Sequence, residues 1–189
     1  LTTLLEDLDT SGQQYEVFIV DNGSIDGTRE ELAIFESRYP GRIKPIYLAT
    51  NTGTTYSRNL AMKQASGRTV VVMDSDIRVP RGAIGTLIER LYSSDRIGMV
   101  VPALYYPSGN LQKSTDRFPT LPSKVTRFFF LKHIEAREFR THISVGVRDV
   151  EYAISAFWVL KREVMERIGL FDERIFYAPE DVDYCLRVW

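Results

Sequence analysis

The stretch Arg68-Thr-Val-Val-Val-Met-Asp-Ser-Asp-Ile77 constrains the fold more than any other. Thr69 to Met73 form a short apolar run rich in β-branched residues, preceded by Gly67 and followed by Pro80. Such a run predicts a central strand of a parallel sheet, covered on both faces. In open α/β sheets ligands gather beyond the carboxyl ends of the strands, which is where Asp74 and Asp76 fall. Residues two apart on an extended chain point the same way, so both carboxylates can face one cation. Mg²⁺-like cations use one or two carboxylates together with substrate phosphate oxygens. The Asp-x-Asp spacing alone is weak, because it recurs at Asp7/Asp9 and Asp181/Asp183. Asp7 and Asp9 lie at a helix end and are expected to be solvated.

The rest of the chain supplies the context. Leu1, Leu4, Leu5 and Leu8 hold helical spacing, and Val182, Cys185, Leu186 and Trp189 do the same at the other end. A sequence that starts and stops inside helices is expected to be an excerpt of a longer protein. Tyr15 to Val20 reads as a strand leading into the turn Asp21-Asn-Gly-Ser-Ile-Asp-Gly-Thr28. Thr28 and Glu31 have capping-box spacing at the start of a helix that ends at Pro40-Gly41. Arg42 to Leu48 is a further extended segment. Asn51-Thr-Gly53 opens the next helix, with Leu60, Ala61 and Ala65 predicted inward and Gly67 as its terminator. A helix to Tyr92, a strand over 98–101, a strand within 150–160 and a short helix over 161–168 follow. This alternation predicts a doubly wound, mainly parallel α/β sheet flanked by helices.

Residues 102–150 break the rhythm. They are proline-rich, carry Phe128-Phe-Phe-Leu131 and have more Lys and Arg than Asp and Glu. Two readings stand: an excursion packed on the sheet, or an acceptor-side flap over its C-terminal edge. His133 and His142 lie here without partners in the pattern and read as packing or surface residues. The chain reads as a single domain in three parts: 1–101, this excursion (102–150) and 151–189.

Composition excludes several classes. A net charge of −1 gives no case for a nucleic-acid partner. The single Cys185 permits neither an intrachain disulfide nor a Cys-based zinc site and suits a reducing compartment. No run reaches transmembrane length.

The last segment, Gly169 to Arg187, is readable as helix-start chemistry. Pro179 suits a first turn, Glu180, Asp181 and Asp183 suit its positive end, and Asp183 can pair with Arg187 at i, i+4. Crowded acids are nonetheless commoner where a carboxylate has a task.

Four features in order resemble a family-2-type glycosyltransferase with the GT-A fold. They are Val20-Asp-Asn-Gly-Ser-Ile-Asp-Gly-Thr28; Asn51-Thr-Gly53 with Arg58-Asn59 and Ala65-x-Gly67; Asp74-Ser-Asp76; and Gly169-Leu-Phe-Asp-Glu followed by Glu180-Asp181-Val-Asp-x-x-x-Arg187. The last is similar to the bacterial rhamnosyltransferase-like branch. The resemblance implies inverting, metal-dependent transfer of a sugar from a nucleotide-diphosphate donor to a hydroxyl of a saccharide or lipid-linked acceptor, in polysaccharide or glycoconjugate synthesis. It implies that Asp21, with Asn22 beside it, meets the nucleobase, that Arg58 contacts the donor, and that Asp74 lies near the ribose. It assigns Asp76, with Asp74, to Mg²⁺ or Mn²⁺, and Asp181 to the catalytic base with Glu180 as its rival. It casts 1–101 as a nucleotide-binding half, 102–150 as an excursion or acceptor-side flap, and 151–189 as an acceptor and catalytic segment. The family's first strand would precede Leu1, and its downstream metal-binding His would follow Trp189, so activity of this stretch alone is left open. The expected location is cytoplasmic, including the inner face of a membrane with peripheral association; the oligomeric state is left open. Two other functions share the logic: a sugar-phosphate nucleotidyltransferase, and a non-catalytic nucleotide-sugar-binding domain.

Overall fold

The computed structural model describes residues 1–119 and 146–189. Phe128 to Leu131, His133 and His142 lie outside the described residues, as does most of the expected flap. Six helices are described: α1 (Thr2–Ser11), α2 (Thr28–Arg38), α3 (Thr54–Gln64), α4 (Ala83–Tyr92), α5 (Arg162–Ile168) and α6 (Glu180–Val188). The strands are β1 (Val17–Asp21), β2 (Ile43–Tyr47), β3 (Thr69–Met73), β4 (Met99–Val100), β5 (Leu104–Tyr105), β6 (Leu111–Gln112), β7 (Thr115–Asp116), β8 (Tyr152–Ala153) and β9 (Phe157–Lys161).

The expected α/β order is present, and its pairing is mixed. β1 and β2 run parallel, in register from Val17–Ile43 to Asp21–Tyr47. In the three-stranded sheet β3–β9–β4, β9 lies between its neighbours and is antiparallel to both. Parallel pairing is therefore confined, among the described residues, to β1–β2. The strand buried on both faces is β9, not β3: every β9 residue is buried, whereas Val71 of β3 is 38% exposed between buried Val70 and Val72. Both runs are apolar, and only the partner strands decide which is central.

Alternation along β9 divides the core. Trp158 and Leu160 face a cluster with Met62, Val70, Val72, Met165, Phe171, Tyr184 and Cys185, drawn from α3, β3, α5, the loop before α6 and α6 itself. Phe157 and Val159 face Leu4, Ile84, Leu91 and Leu104, drawn from α1, α4 and β5. Trp158, Phe171 and Tyr184 stack on one another with ring centroids 4.7–5.8 Å apart. Burying such rings is the main source of stability in a core of this size.

Three local expectations are corrected. Asp7 is buried, not solvated; its carboxylate accepts the amide of Gly82 and, at 3.0 Å, that of Ile84 at the start of α4. Thr28 and Glu31 form no capping box; Asp26 instead accepts both the amide of Thr28 at 3.1 Å and its hydroxyl at 2.5 Å. The buried face of α3 is Thr55, Ser57, Asn59 and Met62, and α3 ends at Ala65 rather than Gly67. Thr55 and Asn59 of that face bond the loop before α6, while Met62 packs into the core beside Val70 and Val72.

Candidate active site

The antiparallel register of β3 and β9 builds the site. Met73 pairs with Phe157, so the amide of Asp74 reaches the carbonyl of Ala156 at 2.9 Å and Ser155 comes beside the β3 exit. Arg58, from the middle of α3, enters the same space. Its Nη2 donates to Asp74 Oδ1 at 2.6 Å and to the Ser155 carbonyl at 3.1 Å. Its Nη1 donates to Ser155 Oγ at 2.6 Å and to Glu180 Oε1 at 3.4 Å. Ser155 Oγ in turn donates to Glu180 Oε1 at 2.9 Å. The β3 exit, the β9 entry and the start of α6 thus meet on one guanidinium.

The acids differ in environment. Glu180 is buried with Arg58 and Ser155 as partners, so its charge is neutralised inside the fold. Asp181 is half-buried, and its Oδ1 accepts the amide of Val182 at 2.8 Å. Asp183 pairs with Arg187 at 2.8 Å, as the i, i+4 spacing predicts. Asp74 is ion-paired, while Asp76 is exposed and has no hydrogen-bond or ion-pair partner among the described residues.

The loop before α6 is pinned to α3. Asn59 Nδ2 donates to the Phe171 carbonyl and to Glu173 Oε1, both at 2.9 Å, while Asn59 Oδ1 accepts the Phe171 amide. Thr55 Oγ1 donates to the Ile175 carbonyl at 2.6 Å, and the Thr54 amide to the Phe176 carbonyl at 2.8 Å. Gly53, at φ 85°, permits this approach; a Cβ there would stand 2.4 Å from the Phe176 carbonyl oxygen.

The turn after β1 is rigidly built. Asp21, the last residue of β1, is buried, with the Ser24 amide at 3.0 Å and Arg29 Nε at 2.7 Å on its two oxygens. Burial alone would raise its pKa; the hydrogen bonds from Ser24 and Arg29 outweigh it and hold the carboxyl below its ordinary value. Asn22 ties this turn to the α3 entry: Nδ2 donates to Asn51 Oδ1 at 3.0 Å, and Oδ1 accepts the Thr52 amide at 2.8 Å. Gly23 lies so close to Thr50 that a Cβ would come within 2.8 Å of its backbone.

The expected residues that the structure brings together form two groups bridged by α3: Asp21 and Asn22 in the turn tied to its N-terminus, and Asp74 and Glu180 on Arg58, while Asp76 and Asp181 make no hydrogen bond or ion pair with that guanidinium. Sequence reasoning missed Ser155, for which no motif speaks, and Arg29, the partner of Asp21. It also missed the anchoring role of Asn59, which the Arg58-Asn59 pairing did signal. A pocket of about 510 Å³ against Asp9, Tyr15 and Arg42 includes none of these side chains. No group of three or more metal-ligating side chains occurs among the described residues. Two oxygen-bearing carboxylates at the β3 exit still fit a hard cation that takes its other ligands from a diphosphate and water. Asp76 is the uncommitted member of that pair.

The chain is similar to known proteins in sequence and in fold. The family model for glycosyl transferase family 2 matches residues 1–169. A dolichol-phosphate mannosyltransferase of Pyrococcus furiosus is 29% identical over 165 residues, covering 84% of this chain and 41% of its own. An N-acetylglucosaminyl-diphospho-decaprenol L-rhamnosyltransferase of Mycobacterium tuberculosis is 27% identical over 182 residues, covering 88% of this chain and 58% of its own. The chain thus spans roughly half the length of these relatives. Among solved structures, the mannosyltransferase PcManGT of Pyrobaculum calidifontis, in complex with GDP-Man and Mn²⁺, superposes with a TM-score of 0.65 at 20% identity, covering 99% of this chain and 48% of that one. Its likeness is one of fold, and the GT-A architecture is shared. On the family match, the chain belongs to glycosyl transferase family 2.

Proposed function

We propose that the protein carrying this chain transfers a sugar from a nucleoside-diphosphate donor to a hydroxyl acceptor, with inversion and with a divalent cation, Mg²⁺ or Mn²⁺. The observation that carries the reading is the exposed, unpaired Asp76 two residues beyond Asp74, whose ion-pair partner Arg58 also reaches Glu180 at the start of α6. Asp76 would hold the cation with Asp74 alongside. The cation would offset the charge gathering on the leaving diphosphate. Asp21 and Asn22 shape the turn proposed to receive the nucleobase, acting through backbone placement since the Asp21 carboxylate is enclosed.

Asp181 is the proposed base. It takes the proton of the acceptor hydroxyl as the new bond forms to the anomeric carbon and the bond to the diphosphate breaks. A single displacement of this kind inverts the anomeric centre. Glu180 is held by Arg58 and Ser155 and is assigned a positioning role instead. A saccharide or lipid-linked acceptor is supported by the diphospho-decaprenol substrate named for the Mycobacterium relative. In this reading residues 1–101 bind the donor and 151–189 serve the acceptor. No helix among the described residues is long and apolar enough to cross a membrane; a cytoplasmic, peripherally membrane-associated protein is the proposed setting.

The test is calorimetric titration of the full-length protein with UDP, GDP and dTDP, with and without Mn²⁺. Asp76→Ala should abolish the Mn²⁺-dependent part of binding. Unchanged Mn²⁺-dependent affinity in that variant would refute the assignment.

A further inference from the structure

We propose that Arg58 is a positioning residue shared between Asp74 and Glu180, through which the start of α6 sets how well the β3 exit binds a cation–diphosphate pair. The inference rests on the donor reading above. It replaces the expected donor contact of Arg58 with a different role, because the guanidinium is already spent on four acceptors within the fold: Asp74, Glu180, and the hydroxyl and carbonyl of Ser155.

One positive charge stands between two carboxylates. The Arg58 side chain is 14% exposed, that of Glu180 7% and that of Asp74 45%, so the pair with Glu180 is enclosed while Asp74 opens toward solvent. Nη2 sits 2.6 Å from Asp74, whereas Nη1 sits 3.4 Å from Glu180, with Ser155 Oγ filling the remaining demand of Glu180 at 2.9 Å. A carboxylate that shares its negative charge with a guanidinium is a poorer cation ligand than a free one. Glu180 draws part of that positive charge away from Asp74. With Glu180 neutral, all of the Arg58 charge falls on Asp74, and the β3 exit loses affinity for a cation. The acid helix and the donor site are thereby coupled although no α6 carboxylate bonds directly to Asp74. Lysine cannot replace arginine here, since one ammonium lacks the two-pronged reach that touches both acids at once.

The experiment is a double-mutant cycle on the full-length protein, with Mn²⁺ plus UDP, GDP or dTDP as the probe. Glu180→Gln should weaken Mn²⁺-dependent nucleotide binding by about 3–10-fold, the scale of coupling between neighbouring charges. In an Arg58→Met background the same Glu180→Gln change should leave affinity unaltered. Arg58→Lys should uncouple the two in the same way and serves if Arg58→Met fails to fold. A purely structural role would not make the effect of Glu180→Gln on Mn²⁺ dependence vanish when Arg58 is absent. An equal loss in both backgrounds, or none in the parent, overturns the proposal. If the parent binds none of the three nucleotides, it is the donor reading that has failed. The coupling is then decided without ligand: denaturant midpoints of Asp74→Asn and Glu180→Gln should be non-additive with Arg58 present and additive without it. Additivity with Arg58 present overturns it.

Discussion

Glu180 and Asp181 are adjacent in sequence and have opposite fates. Glu180 is buried in the fold against Arg58, and Asp181 stays half-buried at the helix start. Which of two neighbours faces inward depends on the phase of α6, and that phase is fixed by the packing of Tyr184 and Cys185, both buried in the core. The pattern of acids therefore marked a candidate site but could not assign roles within it. With Asp181 as the proposed base, Asp181→Asn is expected to lower turnover of the full-length protein by about 10²–10⁴-fold, the usual worth of a general base. Nucleotide affinity should stay nearly constant, because the substitution preserves shape and leaves the β3 exit alone. Rate and affinity are to be measured on the same variant. Near-normal turnover removes Asp181 from the mechanism, and lost nucleotide binding moves it to the donor site.

At the scale of elements, hydrophobic spacing located most helices and strands to within a few residues. It could not report long-range partners. Asp7 looked like a solvated acid at a helix end, yet its carboxylate receives amides of Gly82 and Ile84, far away in sequence. It serves as the N-terminal cap of α4, where a negative charge also complements the helix dipole. The direction of β9 was equally hidden, since an apolar run reads the same for parallel and antiparallel pairing. Ser155 could be found only once that direction was known. Asp7→Ala should destabilise the protein by about 1–3 kcal/mol, the cost of leaving buried amides unpaired. Asp9→Ala, at an exposed position bonded to Tyr15 and Arg42, should cost less than about 0.5 kcal/mol. Denaturant unfolding distinguishes the two, and equal effects would refute the capping role. Neither change should alter Mn²⁺-dependent nucleotide binding.

Across the whole molecule, single side chains stitch separate layers together. Glu16, just before β1, accepts from Lys44 of β2 at 2.6 Å and from the amide and hydroxyl of Ser66 at 2.6 and 2.7 Å. Burial opposes its charge, but these bonds prevail and bring its pKa from 4.5 to about 2. A carboxyl depressed on folding contributes stability that is complete above the unfolded value and drains away as pH falls through the folded one. The window here runs from about 4.5 down to about 2. Glu16→Gln should flatten the acid limb of stability across that window, read as denaturant midpoints at stepped pH; an unchanged limb would contradict it. The pinned loop over α3 has a different consequence. Helix N-termini are ready-made anion seats because their first amides are unspent. Here the Thr54 amide is spent on the Phe176 carbonyl and the Gly53 amide on Asn51. Two amides at the head of α3 are thus engaged within the protein, which leaves less of the positive pole there for an anion. In the proposed donor reading, a bound cation would supply the positive charge that this helix end does not.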